Sequence, residues 1–420
     1  MIVFISQLII GFHLLLLTVL CLFGLHRLSM VWRWYVHRNH VPAEPQTFGS
    51  LPKMTVQVPL YNEKLVAVRV VDAMAAFDYP SDLLQIQIVD DSTDDTQTLI
   101  ADRVAFHQAK GIDIQHVRRA DRSGYKAGAL KEAMESATGE FIAIFDADFL
   151  PEPGLLKENV HHFTDAQLAM VQFRWEHLNR NSSRLTETQA MMLDAHFSLE
   201  QFVRNAGQLF FNFNGTGGIW RKQAIYDAGN WSADTLTEDL DLSYRAQLCG
   251  WKLLYLNNVS CAGEIPADMA AFKSQQHRWV KGGIEVMLKI LTRVWAAPTS
   301  IRQKIESTFH LSNNLAYFIM LTDTILLLVP SLWAREQLGL SQLFWLDVPI
   351  VILASVSHLI YLVFGQVALG ESFLKASLKM PELFILVIAL QSIMRVQPVK
   401  PCSVVKANLY VHPKAEIREV

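Results

Sequence analysis

Apolar positions along the chain repeat in two different ways, and the two repeats divide it. Ile2 to Leu25 is almost free of charge and long enough to cross about 30 Å of hydrocarbon. Comparable runs extend from about Phe309 to Trp333 and from about Asp347 to Leu369. Between the ends the pattern is that of alternating strands and helices. Met54–Pro59 is a short β-branched run, Lys64–Phe77 carries apolar residues at helical spacing, and Leu84–Val89 alternates with period two. A helix-like stretch, Lys126–Ala137, leads into the apolar strand Phe141–Phe145. Strands alternating with helices predict an α/β fold with a doubly wound, mostly parallel sheet. Ligands of such sheets bind beyond the carboxyl ends of the strands. The expected organisation is a membrane anchor over 1–30, an α/β domain over 50–300, transmembrane α-helices over 305–395 and an atypical tail over 396–420.

Charge sets the expected topology. Arg27, Arg33 and Arg38 follow the first apolar run, with Trp32, Trp34 and Tyr35 as an interfacial belt, which places the following residues in the cytosol. No Lys or Arg precedes the run and no small-residue cleavage site follows it, so it reads as a signal anchor rather than a cleaved signal. The loop Glu371–Lys379, with Lys375 and Lys379, suits a return to the cytosol. Pro381–Met394 is apolar but short, about 14 residues where about 20 are usual, and Arg395, Lys400 and Lys406 follow it. Asn313, Asn314 and Asp323 inside the second span have two readings, a polar path or packed polar contacts between helices.

Composition narrows the function. A chain of 420 residues exceeds one ordinary domain, and its 51% hydrophobic content is concentrated at the two ends. A formal net charge of -3 argues against a nucleic-acid binder. The four cysteines, Cys21, Cys249, Cys261 and Cys402, form no CxxC pair, so neither a zinc site nor a disulfide framework is expected and a reducing compartment fits. About 280 contiguous residues of soluble character, with three or four spans, argue against a transporter.

Polar residues gather where the expected strands end: Tyr61, Asn62 and Glu63 after the first, Asp90 to Asp94 after the second, Asp146 and Asp148 after the third. Two aspartates a strand period apart can jointly address Mg²⁺ or Mn²⁺, which take a few carboxylates together with phosphate oxygens and water. Thr237-Glu238-Asp239-Leu240-Asp241 precedes helix-like Leu242–Leu248. Such acids are favoured at a helix start by the dipole and free N–H groups, and equally one could take a proton from an attacking hydroxyl. Gln275, Arg278 and Trp279 suit a carbohydrate, with indole under the sugar face and amide and guanidinium on hydroxyls or phosphate. Lys126, in Gly124-Tyr-Lys-Ala-Gly128, is either a phosphate partner or a solvated helix-start lysine. The N-x-S/T triplets at Asn181, Asn214, Asn230 and Asn258 are taken as chance matches, His161-His162 as a surface pair, and Trp220, Trp231 and Trp251 as core.

In this order the motifs resemble glycosyltransferase family 2, and within it the cellulose-synthase-like branch. They are Pro59 to Glu63, Val89-Asp-Asp-Ser92, Lys126-Ala-Gly128, Asp146-Ala-Asp148, Asn214-Gly-Thr-Gly-Gly218, Thr237-Glu-Asp239 and the Gln275-to-Trp279 pattern. The resemblance covers roughly residues 50 to 390 and looks closest to bacterial proteins similar to the plant enzymes that make β-mannan or glucomannan. It implies a GT-A fold in the cytosol and an inverting single displacement. Tyr61, Glu63, Asp91 and Lys126 would hold the nucleotide, with Asp90 as the alternative to Asp91. Asp146 and Asp148 would bind the metal and diphosphate, and Asp239 would be the general base. Asn214, Gly215, Thr216 and Gly217, with Glu238, would line the acceptor site; Gln275, Arg278 and Trp279 would hold the acceptor terminus and diphosphate. The implied donor is GDP-mannose or UDP-glucose, and the implied acceptor a growing β-linked polysaccharide. Transfer of one sugar to a ceramide- or diacylglycerol-type lipid is the alternative within the class, and a non-catalytic membrane scaffold the alternative outside it. Polymerising relatives thread product between their membrane helices, which would give Asn313, Asn314 and Asp323 a role. A bacterial inner membrane is the expected location. The family's usual tail, with Asn-Asn-Ala-Arg-Ala and then Ser-Glu-Phe-Val-Arg-Thr-Pro-Lys, has no counterpart in Gln391–Val420, and a frameshift is the expected cause.

Overall fold

Among the described residues, eight strands in the order β3-β2-β1-β4-β7-β6-β8-β5 form the central sheet. They are β1 (Met54–Leu60), β2 (Leu84–Asp90), β3 (Ile114–Val117), β4 (Phe141–Ile144), β5 (Phe149–Leu150), β6 (Leu168–His177), β7 (Gly218–Arg221) and β8 (Lys252–Gly263). The structure is a computed structural model and describes residues 1–381; the expected atypical tail and nearly all of the short apolar stretch Pro381–Met394 lie outside the described residues. Strands β1 to β4 are mutually parallel, and β6 is parallel to β8. Only β7, between β4 and β6, and the short β5 run against the rest. The sheet is therefore mostly parallel, with one antiparallel seam.

The period-two pattern of β2 has an unexpected basis. It does not mark a solvated face, because all seven residues of β1 and all seven of β2 are buried. Met54, Val56, Val58 and Leu60 pack into the main core with Ile86 and Ile88. On the other face Thr55 Oγ1 donates to Gln85 Oε1 at 2.8 Å, Gln57 Nε2 donates to Gln87 Oε1 at 2.9 Å, and Gln87 Nε2 donates to Ser136 Oγ at 2.9 Å. Partnered amides can be covered by a helix at small cost, with Gln57 Oε1 alone among these atoms left without a partner. That cover is the helix Tyr125–Ser136; the helices Ala67–Ala75 and Thr96–Gln108 complete the crossovers.

Among the described residues, three helical stretches are long and apolar enough to cross a membrane: Ile2–His37, Leu315–Gln337 and Ser341–Ala368. The second begins later than the hydrophobic run suggests. Phe309 belongs to the helix Ile301–Ser312, which a capping box between Ser300 and Gln303 starts, and the chain breaks at Asn313 and Asn314. Pro330 removes one donor from the ladder of this span, and the turn before it, Asp323–Leu327, is π-helical. The expected loop Glu371–Lys379 is instead helical over 373–381, where Lys375 pairs with Glu371 at 2.8 Å and Lys379 with Glu187 at 3.6 Å.

Polar residues within the spans are packed against one another. His13 Nδ1 lies 2.8 Å from Asp323 Oδ1, and its Nε2 lies 3.1 Å from Asp347 Oδ2. Arg335 grips Asp347 with both terminal nitrogens, at 2.6 and 2.9 Å. Asn313 Oδ1 accepts from Arg27 at 3.1 Å, and Asn314 lies against Gly283. For Asn313 and Asp323 the packed reading is the one the helices adopt. The protein is thus an integral membrane protein with an α/β domain between its apolar ends.

Candidate active site

The carboxyl ends of the parallel strands open into one cavity of about 670 Å³. Each element delivers a different side chain to it. Tyr61 and Glu63 follow β1, Asp91 follows β2, and Asp146 and Asp148 follow β4. Lys126 comes from the first turn of the helix Tyr125–Ser136, and Glu238 and Asp239 from the first turn of the helix Glu238–Leu248. Gln275, Arg278 and Trp279 reach in from the long helix Met269–Ala296, and Asn214 and Gly215 from the loop before β7. Residues up to 218 positions apart in the order of the sequence motifs thus share one wall.

Three of the expected site residues lie behind that wall. Asp90 is the last residue of β2 and 1% exposed, and its carboxylate accepts from Ser92 N at 2.8 Å and meets His116 Nε2 at 2.8 Å. Burial works against its charge, but those hydrogen bonds hold its pKa below the usual value. Successive strand residues point to opposite faces, so only Asp91 reaches the cavity, gripped by Arg119 at 2.7 and 2.6 Å. This removes Asp90 as the alternative donor contact. Thr216 is fully buried; its Oγ1 accepts the backbone N–H of Asp146 at 2.8 Å and so positions that residue. Gly217 backs onto Trp175, so neither it nor Thr216 lines the cavity as an acceptor contact.

The electrostatics are those of a crowd of acids around too few cations. Lys126 Nζ lies 2.5 Å from Asp146 Oδ1 and 3.0 Å from Gly215 O, so it is no solvated lysine. Burial disfavours its charge, yet Asp146, Glu238 and Asp239 together raise its pKa. Burial, then the charge of Asp146, pushes Asp148 up to about 7. Burial, then Asp148 and Asp146, pushes Glu63 up to about 8. Asp239 is raised to about 7 by burial and by Glu238, which burial also raises. A divalent cation held by Asp146 and Asp148 would relieve that repulsion. Among the described residues no three His, Cys, Asp or Glu side chains gather as a complete metal cage. Two hard carboxylates with room for phosphate oxygens and water fit the way Mg²⁺ and Mn²⁺ are held at phosphate sites.

Asp239 stands beside the loop that carries Asn214. Gly215 has φ +82°, and a Cβ there would come within 3.1 Å of Asp239 Oδ2. Several lining residues escape sequence reasoning. The Arg122 guanidinium lies 3.2 Å from the Tyr61 ring centre, a cation–π contact just beyond the end of β1. Trp175, Glu176 and His177 line the cavity from the end of β6. The rule of carboxyl strand ends finds them only once β6 is recognised as a strand.

The sequence model of the family described as glycosyltransferase like family 2 matches residues 52–282, more than half of the chain. The chain is 39% identical over 269 residues to probable glucomannan 4-beta-mannosyltransferase 10 of Arabidopsis thaliana, covering 63% of this chain and 48% of that protein. It is 36% identical over 331 residues to probable glucomannan 4-beta-mannosyltransferase 6 of Oryza sativa subsp. japonica, covering 75% and 58%. The chain therefore spans about half the length of the curated relatives it matches. Among solved structures, the mannosyltransferase PcManGT from Pyrobaculum calidifontis, in complex with GDP-Man and Mn²⁺, superposes with a TM-score of 0.57 at 19% identity. That match covers 84% of this chain and 98% of the other, and shows a shared GT-A type fold. On the extent of the family match and the plant relatives it brings, the chain belongs to glycosyltransferase family 2, in its cellulose-synthase-like branch.

Proposed function

We propose that this protein is an inverting hexosyltransferase that extends a β-linked polysaccharide from a nucleotide sugar, with its catalytic cavity on the cytosolic side of the membrane. The observation that carries this reading is the single cavity in which Asp146, Asp148 and Lys126 adjoin Asp239 and the Asn214–Gly215 loop. Tyr61, with Arg122 against its ring, and Asp91 form the donor end; Gln275, Arg278 and Trp279 close the site beside the acceptor. Asp239 takes the proton of the acceptor hydroxyl as its oxygen bonds to the anomeric carbon. The bond from that carbon to the diphosphate breaks on the opposite face, which inverts the configuration. Arg278 and Lys126 supply fixed positive charge for the leaving group. A divalent cation held by Asp146 and Asp148 would add Lewis-acid neutralisation of the diphosphate.

The relatives are glucomannan 4-beta-mannosyltransferases, and PcManGT is bound to GDP-Man and Mn²⁺; both support GDP-mannose over UDP-glucose and Mn²⁺ as readily as Mg²⁺. Arg33 and Arg38 at the end of the first span support the cytosolic side. Plant relatives lend nothing to a bacterial inner membrane. The test is incubation of the detergent-purified chain with radiolabelled GDP-mannose or UDP-glucose and either metal. Product is then sized and digested with β-mannanase or β-glucanase. Large digestible product, lost in Asp239→Asn, is expected. Label confined to the lipid phase would replace the polysaccharide acceptor by a lipid, and full activity in Asp239→Asn would remove the proposed base.

A further inference from the structure

Asn214 is held from a direction that the proposed chemistry does not use. Its Nδ2 donates to His196 Nε2 at 3.0 Å, and its Oδ1 accepts from Gln201 Nε2 at 2.6 Å. An amide nitrogen only donates, so this bond puts the imidazole proton on Nδ1, where Glu200 Oε2 lies 3.1 Å away. The backbone N–H of Asn214 goes to Gln172 Oε1 at 2.9 Å. One N–H and one lone pair of the amide are left for a ligand in the cavity that Asn214 lines.

His196 and Gln201 are five residues apart. On a regular α-helix, at about 100° per residue, they would point roughly 140° away from each other. They are instead the first and last residues of a π-helical turn, His196–Gln201, whose i→i+5 bonding brings such residues toward one face. A continuous α-helix could not deliver both side chains to one amide. The same turn carries Phe197, whose ring lies 4.7 Å from that of Trp175 on the cavity wall.

Membrane helices hold the turn on its far side. Ser198 Oγ donates to Gly365 O at 2.9 Å, and a Cβ on Gly365 would come within 2.5 Å of Ala195 Cα. Glu200 pairs with Arg204 at 3.3 Å and with Arg27 of the first span at 3.8 Å. Arg204 in turn lies 3.7 Å from Glu306, which also takes His26 at 2.8 Å and Arg33 at 2.7 Å.

We infer that His196 and Gln201 are positioning residues that aim the Asn214 amide at the hydroxyls of the acceptor terminus, with their turn fixed to the membrane helices through Glu200 and Arg204. The inference rests on the transferase reading above and adds residues to its acceptor side. It separates acceptor from donor, because the turn touches the loop at Asn214 and not the Lys126–Asp146–Asp148 corner.

The experiment compares wild type, His196→Ala, His196→Gln and Gln201→Ala in transfer to a short β-linked oligosaccharide. Acceptor-independent donor hydrolysis is measured alongside, and thermal unfolding is recorded for every variant. The alanine variants should raise the acceptor KM roughly tenfold, the loss of one or two hydrogen bonds. Donor KM and donor hydrolysis should stay at wild-type values. His196→Gln should recover most of the loss, since its Oε1 can accept from Asn214 Nδ2. An unchanged acceptor KM, or a loss shared equally by donor hydrolysis and unrescued by His196→Gln, overturns the inference while an active wild type leaves the proposed function standing. A wild type that transfers to no acceptor overturns both.

Discussion

Glu306 offers the sharpest test of the junction between the α/β domain and the membrane helices. It is 1% exposed, yet it receives His26 at 2.8 Å and Arg33 at 2.7 Å. Burial alone would raise its pKa; the hydrogen bond and charge of His26, then Arg204 and Arg33, hold it at about 2 instead of 4.5. A carboxyl depressed by that interval contributes about 3 kcal/mol at neutral pH. The sign follows from the depression: the contribution is complete above about 4.5 and is lost as pH falls toward about 2. Glu306→Gln removes it, leaving Arg33 without its carboxylate and Arg204 with Glu200 alone, and breaking a buried pair costs about 3–5 kcal/mol. At about 2.1 cal/mol/K of unfolding entropy per residue, 3 kcal/mol is about 3–4 °C in Tm for a chain of this length. Thermal unfolding in detergent at pH 7 measures it, and at pH 3 the gap to wild type should shrink to roughly 1 kcal/mol. An equal Tm for Glu306→Gln at pH 7, or a gap that does not narrow in acid, would refute the reasoning.

The proposed role of Asp239 as base predicts a pH profile: with its pKa raised to about 7, kcat should fall as pH drops through that value, and Asp239→Asn should lose about 10²–10⁴-fold at constant donor KM. The same elevation makes the buried Asp239 carboxylate a cost to stability that grows as pH rises from about 4 to about 7, so Asp239→Asn should unfold at a higher temperature than wild type at neutral pH. Chelation with EDTA should abolish transfer, with Mn²⁺ or Mg²⁺ restoring wild type but not Asp148→Ala, as read by product formation. Gly215→Ala puts a side chain at φ +82° and within 3.1 Å of Asp239 Oδ2; a kcat loss of at least tenfold with little change in donor KM is expected from transfer kinetics.

The parallel half of the sheet was legible because β1, β2 and β4 each combine a run of apolar residues with an acidic end, and helical spacing separates them. The antiparallel seam was not. Strand β7 has only four residues, Gly218–Arg221, too short for a period to register, and β6 changes from a fully buried start to a half-exposed end. Missing β6 hid Trp175. Choosing between Asp90 and Asp91 needed the residue at which β2 stops, because one position reverses the face. The late start of the second span reflects a local contest: hydropathy ran through Phe309, while the Ser300 capping box and the break at Asn313 assigned those residues to another helix. The junction charges could not be paired from sequence at all, since His26 and Glu306 are 280 positions apart.

The quartet in the membrane also constrains how the protein is made. His13 is synthesised 310 residues before Asp323, and at about 5–20 residues per second that is a wait of roughly 15 to 60 seconds. Of the side chains in the quartet, imidazole alone is readily carried uncharged near neutral pH, so the early helix enters lipid with the cheapest of the four. Asp323, Arg335 and Asp347 then arrive within 24 residues of each other and can enter as a set already balanced in part. Exchanging His13 with Asp323 would strand a charge in the early helix during that wait, and in the finished protein would set a second carboxylate against Asp347.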